Sequence, residues 1–487
     1  MRPRIAIIGA GSASHGRRLL NDLFTFPWMD RATLSLMAPH LHHLTGVRKY
    51  AVRIVQRYSL RTSIEAHTDL APAIRGADIV FLLFDAGGFS AFDQDFTITK
   101  ASGIDLCIGD TMGPTGMMKA VRNVSVLKEV AAEIRKSAPD CLVISYVNPM
   151  AVMTMAARQL GIRRFVGICG GVEATRHTIA TCLGESVDSI TTRFAGINHM
   201  AWALEIQKDN EDLYPRLRQR MATPKWTAAE PTRAEVLQHF GYFVTETSGH
   251  LSDFFPWFRR DQTVLKRYGS GTGYTGASGA YHRFAGYVHR RLQDVDPFAY
   301  EDGELDARSE EYGSFIANAW ITGEDYEFYG NLSNHNGLIA NLPTDAAVEV
   351  PTHIKGNAIE GQHMDRLPTQ LAALCTTNIL VQQMCVEAVL RQAPQLLLSA
   401  ISMDPLTAAT IDLTDTRRLT EELIAANHSW LPRVEHGFRF RDVSIDSSAP
   451  PSRANTSGQD VLEPVKRFDR SKRKIDVEAR ANTPNHD

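Results

Sequence analysis

The sequence predicts an α/β protein in which a Rossmann-like, doubly wound sheet is followed by a helix-rich, mixed α+β segment. Over the first two hundred residues, short apolar runs alternate with amphipathic stretches, the pattern of parallel strands covered by helices. After about residue 200, long helical stretches dominate. We therefore predict a Rossmann-like domain over 1–200, a substrate and oligomerisation domain over 201–435 and a flexible tail over 436–487.

Five apolar runs are predicted as buried strands because each is short and bounded by polar or helical segments. They are Arg4–Ile8, Thr33–Met37, Ile79–Phe84, Leu142–Val147 and Phe165–Ile168. Gly9, Asp85, Asn148 and Cys169 stand at or just after the ends of four of these runs. Because ligands bind off the carboxyl ends of the strands in open α/β sheets, we expect these residues at the binding edge.

Helical periodicity is predicted for Arg17–Phe24 and Met117–Ser137 in the first half, and for Arg308–Ile321 and Thr369–Arg391 in the second. Thr369–Arg391 is apolar enough to be a central core helix. A segment rich in glycine and tyrosine, residues 268–279, is predicted as a loop and a candidate lid.

The composition excludes several classes of protein. An apolar content of 44% and a charged content of 22% are those of an ordinary globular protein. The formal charge of −3 gives no general attraction to nucleic acid or to an anionic membrane. No apolar run reaches the roughly 20 residues of a membrane span, and the first residues do not resemble a signal peptide. Six cysteines without a CxxC pair do not indicate a disulfide framework, so we expect a cytoplasmic protein.

The turn after the first strand, Gly9-Ala-Gly11-Ser12, is a candidate site for a dinucleotide pyrophosphate. Gly9 permits a tight turn, and Gly11 lets the backbone approach the phosphates at the start of a helix. The third position of the fingerprint holds Ser14 instead of glycine. Ala38 follows the second strand, where NAD-binding folds usually carry an acid for the ribose, so the choice between NAD and NADP stays open.

Four further motifs follow in order: Gly-Asp-Thr-Met-Gly-Pro-Thr-Gly at 109–116, Tyr-Val-Asn-Pro-Met-Ala at 146–151, Gly-Ile-Cys-Gly-Gly-Val at 167–172 and Gly-Ile-Asn-His-Met-Ala-Trp at 196–202. In this order and spacing they resemble glycoside hydrolase family 4, whose glycosidases depend on NAD and a divalent metal. The resemblance is greatest to the branch of α-galactosidases and α-galacturonidases.

The resemblance implies hydrolysis of a non-phosphorylated hexoside or hexuronide without the usual pair of carboxylates. In this family NAD takes a hydride from sugar C3, a base removes the C2 proton, and the leaving group is eliminated. Water then adds at C1 and the hydride returns to C3. The family also implies a small carbohydrate as partner, with no nucleic acid or membrane, and a homodimer or homotetramer.

The resemblance also assigns roles to residues. Cys169 and His199 match the metal ligands, and the metal implied is Mn²⁺ or a similar divalent ion. Asp110 matches the aspartate associated with protonation of the leaving group. Asn148 matches a substrate-contacting asparagine, and Asn198, beside His199, is expected to contact the sugar or to orient the metal ligands.

The chain departs from the family at three places close to the chemistry. Cys169 is followed by two glycines, Gly170 and Gly171, where α-glycosidases of the family usually have His-Ser or His-Glu. Phe254 occupies the position of the tyrosine base, and Gly249 occupies an acidic position. A phenylalanine cannot accept a proton, so another group must serve as the base.

His250 is the first candidate for the replacement base because it lies in a matching segment. The alternatives are Tyr242, Asp253, Tyr268 and Tyr274. Because the other site residues persist, these departures favour a rebuilt active site with a different sugar preference. Two other functions stay open: an NAD-dependent dehydrogenase of sugars or hydroxy acids, and an inactive homologue that binds sugar or nucleotide.

Overall fold

Twelve strands pair into one sheet in the part of the chain that the structure describes. The structure is a computed structural model, and it describes residues 2–12, 15–269, 273–294, 298 and 304–441. The strands are β1 Arg4–Ile8, β2 Thr33–Met37, β3 Ser63–His67, β4 Ile79–Leu82, β5 Leu142–Ser145, β6 Phe165–Gly167, β7 Thr191–Ile197, β8 Met200–Lys208, β9 Glu211–Asp212, β10 Tyr326–Ser333, β11 Ala347–Lys355 and β12 Ala358–Gly361.

The order of the strands is β3-β2-β1-β4-β5-β6-β10-β11-β7-β8-β9, and β12 pairs with β11. The six strands from β3 to β6 are parallel, and every pairing from β6 to β9 is antiparallel. All residues of β2, β4 and β5 are buried, as expected for strands with both faces covered. The predicted Rossmann-like sheet with a mixed α+β continuation is confirmed.

Eighteen helices cover this sheet among the described residues. They are α1 Gly16–Phe24, α2 Leu41–Arg57, α3 Leu70–Ile74, α4 Gly88–Ala101, α5 Gly113–Ser137, α6 Met150–Gln159, α7 Gly171–Leu183, α8 Tyr214–Met221, α9 Pro224–Ala229, α10 Pro231–Phe240, α11 Ser248–Ser252, α12 Gln262–Tyr268, α13 Ala280–Asp294, α14 Gly313–Thr322, α15 Thr369–Arg391, α16 Pro394–Met403, α17 Pro405–Thr410 and α18 Leu413–Ala426.

Two differences from the predicted elements have physical causes. The helix predicted from Arg308 begins only at Gly313, because Asp22 and Thr25 hold the preceding segment in tertiary hydrogen bonds. The Asp22 carboxylate accepts from the backbone N–H of Ser309 at 3.0 Å, and Thr25 Oγ1 accepts from Nε of Arg308 at 2.7 Å. β3 was not predicted, because it is an edge strand whose polar residues are only partly buried.

Helix α15 coincides with the predicted core helix. By length and composition it would also qualify as a membrane span, but half of its most apolar window is buried inside the protein. It packs against α5, α6 and α16, as the core helix of a globular protein does.

Met1–Arg439 form one compact unit, and β10 and β11 extend the sheet from β6 to β7. The predicted boundary at residue 200 stays a prediction. Ser14, at the third position of the fingerprint, and almost all of the predicted tail, residues 442–487, lie outside the described residues.

Candidate active site

The predicted cofactor loop connects β1 to α1 as a tight turn. Gly9 has φ +86°, and a Cβ there would lie 2.6 Å from the backbone nitrogen of Phe84, so only glycine fits. The backbone N–H groups of Gly9 and Ala10 donate to the carbonyl of Met37 at 2.9 and 3.0 Å. The N–H of Ser12 donates to the carbonyl of Gly9 at 3.0 Å. This geometry brings the backbone at Gly9–Ser12 close to the start of α1, where an anion would be stabilised.

A cluster of histidines follows β2 beside this loop. Ala38 is buried, and no carboxylate follows it before His43. The rings of His42 and His43 lie 3.9 Å apart and those of His40 and His42 lie 5.6 Å apart. A Cβ on Gly11 would lie 2.9 Å from Cβ of His43, so this cluster borders the loop. A ribose held after β2 would meet imidazoles instead of an acid.

Cys169 and His199, the predicted metal ligands, lie together. Cys169 follows β6, and His199 lies in the two-residue turn between β7 and β8 with φ +62°, a value that residues other than glycine rarely adopt. Cys169 Sγ is 3.3 Å from His199 Nε2, and Thr111 Oγ1 is 3.4 Å from His199 Nδ1. The hydroxyl of Tyr312 accepts from the N–H of Cys169 at 3.0 Å and donates to its carbonyl at 2.8 Å. Tyr312 therefore holds the backbone of Cys169, and Thr111 contacts the ring of His199.

Glu246 is a third potential ligand, which the sequence did not reveal. One of its carboxylate oxygens lies within 4.8 Å of both Cys169 Sγ and a ring nitrogen of His199. Gly249 stands where the family resemblance implies an acid, and a Cβ on Gly249 would lie 2.4 Å from the carbonyl oxygen of Tyr274. There is no room for a side chain at that position, and the acid comes from three residues earlier.

Glu246 and His250 form an ion pair beside His199. Glu246 Oε2 is 2.9 Å from His250 Nδ1 and 3.7 Å from His199 Nε2. Burial raises the pKa of Glu246, but His250 and His199 outweigh it and hold the pKa below its usual range. Burial lowers the pKa of His250, but Glu246 outweighs it and raises the pKa to about 8. Burial, reinforced by Glu246 and Glu349, raises the pKa of the Cys169 thiol well above its usual value.

Asp110 and Asn148 form a second pair. Asn148 Nδ2 donates to Asp110 Oδ2 at 3.0 Å, and Thr111 Oγ1 donates to Asp110 Oδ1 at 2.8 Å. Lys119, a buried residue of α5 that the sequence did not reveal, places its Nζ 3.9 Å from Asp110 Oδ2 and 3.5 Å from Asp85 Oδ2. Burial raises the pKa of Asp110, but Lys119, His250 and His199 lower it overall. Asp110 is thus held as a carboxylate beside an ammonium group.

Asn198, the second predicted substrate ligand, is fully buried beside Cys169 and His199. Its amide lowers the pKa values of Cys169 and Glu349, and neither of its polar atoms completes a hydrogen bond of normal geometry with the described residues. Glu349 accepts from Asn331 Nδ2 at 3.1 Å, and burial raises its pKa to about 8.

One alternative for the base, Asp253, is bound to backbone N–H groups. The carboxylate of Asp253 accepts the backbone N–H groups of residues 107, 108 and 109 at 2.9, 2.9 and 3.1 Å, and it lies 3.6 Å from Nε of Arg259. Asp253 therefore holds the loop that precedes Asp110, and these contacts occupy its carboxylate. Phe254 is buried, with its ring 6.4 Å from that of His199, which confirms that no acid–base group occupies this position.

The tyrosines lie at different distances from the site. Tyr242 packs against Tyr214, and Tyr268 packs against Phe258, with ring centroids 5.9 and 4.9 Å apart. Tyr274 is nearer, with its ring 6.4 Å from that of His250. Tyr281, which the sequence did not reveal, interacts electrostatically with Lys119 and Asp110.

Comparison with known proteins agrees with this geometry. Residues 4–185 match the model of the family 4 glycosyl hydrolases, and residues 194–407 match their C-terminal domain. An α-galactosidase of Rhizobium meliloti is 32% identical, with 89% of this chain and 90% of that protein aligned. An α-galacturonidase of Bacillus subtilis is 25% identical, with 86% of this chain and 96% of that protein aligned.

A solved structure shares the fold. A 6-phospho-α-glucosidase from gut microorganisms, solved in complex with NAD and Mn²⁺, superposes with a TM-score of 0.73 at 19% identity, covering 89% of this chain and 100% of that one. The two family matches together span most of the described residues, including the cofactor loop, the Cys169–His199 pair and the Asp110–Asn148 pair. The chain therefore belongs to glycosyl hydrolase family 4.

Proposed function

We propose that this protein hydrolyses a non-phosphorylated α-galactoside by the NAD- and metal-dependent oxidation and elimination route of its family. The proposal rests chiefly on Thr111, which contacts a residue of each of the two pairs in the site. Its hydroxyl donates to Asp110 and lies 3.4 Å from His199, so the Asp110–Asn148 pair and the Cys169–His199 pair line one site.

The residues present fit the groups that this route needs. The glycine turn at Gly9 leaves a backbone surface at the start of α1 for a dinucleotide phosphate. Cys169 and His199 present a sulfur and a nitrogen 3.3 Å apart, a spacing that suits two ligands of one ion. When bound, NAD supplies a hydride acceptor for sugar C3 and a divalent metal such as Mn²⁺ supplies a Lewis acid.

A neutral galactoside fits the charges of the site better than a galacturonide. A uronate needs a cation, and Lys119, the ammonium beside Asp110, already faces two carboxylates. The higher identity to the α-galactosidase than to the α-galacturonidase supports the same choice.

We assign the acid–base roles to two clusters of this chain. The neutral form of His250, reached as the pH rises through its pKa of about 8, is the proposed base for the C2 proton, because Nδ1 then donates toward Glu246 at 2.9 Å and Nε2 can take a proton. Asp110, held as a carboxylate beside the Lys119 ammonium 3.9 Å away, is proposed to act in protonation of the leaving group by holding the water that supplies the proton. Asn148 and Asn198 are proposed to hold sugar hydroxyls.

The proposal is tested with the full-length protein, NAD, MnCl₂, a reductant and nitrophenyl α-galactoside in D₂O. We expect release of nitrophenol, deuterium at C2 of the galactose product and no net NADH, because the hydride returns to C3. Chelation of the metal or omission of NAD should stop turnover. Accumulation of NADH in step with substrate would instead show a dehydrogenase. Sugar binding without turnover would show an inactive homologue.

A His250→Gln substitution tests the base. We expect turnover and deuterium exchange at C2 to fall together by about 10²–10⁴-fold, the usual contribution of a positioned general base. Tyr274→Phe is the matched control, because Tyr274 lies near His250 and its phenol is the competing base; it should stay within a few-fold of the unmodified protein. Loss of exchange in Tyr274→Phe with exchange retained in His250→Gln would assign the base to the tyrosine.

The remaining expectations are also proposals. We propose a cytoplasmic homodimer or homotetramer that acts on small carbohydrates and binds neither nucleic acid nor membranes. Histidines follow β2, where NAD-binding folds usually carry an acidic residue for the ribose of the cofactor. NAD and NADP are therefore to be compared directly by the shift in melting temperature that each produces.

A further inference from the structure

We propose that Glu246 is a third protein ligand of the metal, admitted beside Cys169 by the glycine at position 171. This inference rests on the proposed metal dependence and goes beyond the cysteine and histidine that the family resemblance assigns.

Glu246 is placed by backbone pairing, not by proximity in sequence. Thr245 N–H donates to the carbonyl of Ala201 at 2.9 Å, and the N–H of Ala201 donates to Thr245 Oγ1 at 2.9 Å. This pairing aligns the residue after Thr245 with the turn that holds His199. The buried guanidinium of Arg233 then donates to the Glu246 carbonyl at 2.6 Å, which anchors the backbone from the other side.

The distances suit one ion. Bonds of about 2.0–2.3 Å from a metal to nitrogen, oxygen and sulfur put neighbouring ligand atoms about 3–4 Å apart. Cys169 Sγ to His199 Nε2 is 3.3 Å, and His199 Nε2 to Glu246 Oε2 is 3.7 Å. Although Oε2 pairs with His250, it completes no hydrogen bond of normal geometry with the described residues.

Gly171 makes the approach of Glu246 to Cys169 possible. A Cβ at position 171 would lie 3.0 Å from Cγ of Glu246 and 3.5 Å from Sγ of Cys169. A larger side chain, such as the serine or glutamate of related α-glycosidases, would occupy the space between the two. The departure at Gly171 and the position of Glu246 are thus two parts of one arrangement.

A third ligand from Glu246 would also change the kind of atoms that bind the metal. A thiolate and an imidazole alone are a soft pair, whereas Mn²⁺ prefers oxygen ligands. A carboxylate adds a hard oxygen and a second negative charge, which together with the thiolate balances a divalent ion. His250, 2.9 Å from the same carboxylate, then serves as the outer partner that orients it.

The affinity of the metal-free, full-length protein for Mn²⁺ tests this inference, measured by calorimetry and by the electron paramagnetic resonance of free Mn²⁺. Loss of an outer partner typically costs about 10–100-fold in affinity, so loss of a direct ligand should cost about 100-fold or more in Glu246→Gln. Gly171→Ser should also weaken binding, because its side chain displaces Glu246. Far-ultraviolet circular dichroism and the melting temperature without metal show whether each variant is folded.

Glu173→Gln is the matched control. It makes the same charge change four residues after Cys169, where the carboxylate pairs with Arg176 and is not grouped with Cys169, His199 and Glu246, and it should bind Mn²⁺ as the unmodified protein does. If Glu246→Gln bound Mn²⁺ within about twofold of the unmodified protein, the inference about Glu246 would be overturned, but the proposed metal dependence would stand. Failure of the unmodified protein to bind Mn²⁺ would overturn the proposed metal dependence as well.

Discussion

Cys169→Ser is expected to abolish metal-dependent hydrolysis while the protein stays folded. Serine is nearly the same size as cysteine, but its hydroxyl stays protonated near neutral pH and is a poor substitute for a thiolate ligand. Because Cys169 is a proposed direct ligand, we expect Mn²⁺ affinity and turnover to fall by at least about 100-fold, beyond the range typical of outer partners. Equilibrium dialysis with Mn²⁺ and the nitrophenyl galactoside assay measure the two effects separately.

His199→Ala should have the same effect through the nitrogen ligand. Cys182→Ser is the control: Cys182 is on α7, the helix that follows Cys169, and it lies in a core cluster with residues of β7 and β8. It should change stability slightly and metal affinity not at all. Full activity in either Cys169→Ser or His199→Ala would show that the metal, if used, is held elsewhere.

Arg122→Met is expected to cause the largest loss of stability. Arg122 is fully buried in α5, pairs with the buried Asp95, and donates through Nη1 to Asn427 Oδ1 at 2.6 Å and through Nε to the carbonyl of Ala86 at 3.0 Å. Removal of one partner leaves the other charge buried and uncompensated, which costs about 3–5 kcal/mol. The free energy of unfolding in urea measures the loss.

Two further variants delimit that effect. In the double variant Arg122→Met/Asp95→Asn no buried charge is left over, so part of the lost stability should return. Arg163→Met breaks the pair with Asp140 at 3.2 Å, in which both side chains are about 70% exposed, and should cost about 1 kcal/mol or less. Equal losses in Arg122→Met and Arg163→Met would contradict the role of burial.

The positions of several site residues could be predicted because these residues follow buried parallel strands. In a parallel sheet the residues that follow successive strands lie at one edge. The short apolar runs alone therefore predicted that Gly9, Asn148 and Cys169 lie at the binding edge. His199 and Asp110 could be identified only from the family motifs. His199 lies in a turn between antiparallel strands and Asp110 lies in a long loop, and neither segment has a periodic pattern of apolar residues.

Glu246 and Lys119 could not be predicted, each for a different physical reason. Glu246 reaches the site through a pairing between segments some 45 residues apart, as the hydrogen bond between Ala201 and Thr245 shows. Lys119 is a cation inside a helix, which a sequence pattern normally places at the surface. Asp253 was a plausible base by sequence, but only the fold shows its carboxylate bound to three backbone N–H groups.

The antiparallel pair β10–β11 connects the two strands, β6 and β7, that lead to Cys169 and His199. Its ladder runs without a break from Tyr326–Ile354 to Ser333–Ala347, joins β6 at Gly167 and joins β7 at Gly196. The loops bearing Cys169 and His199 are therefore connected through one ladder, whereas Glu246 is positioned by the short pairings of Val244 with Trp202 and of Thr245 with Ala201, and by Arg233. A one-residue slip of β10 against β11 would shift both of these loops, so directed evolution for a new sugar is expected to fail in β10 or β11.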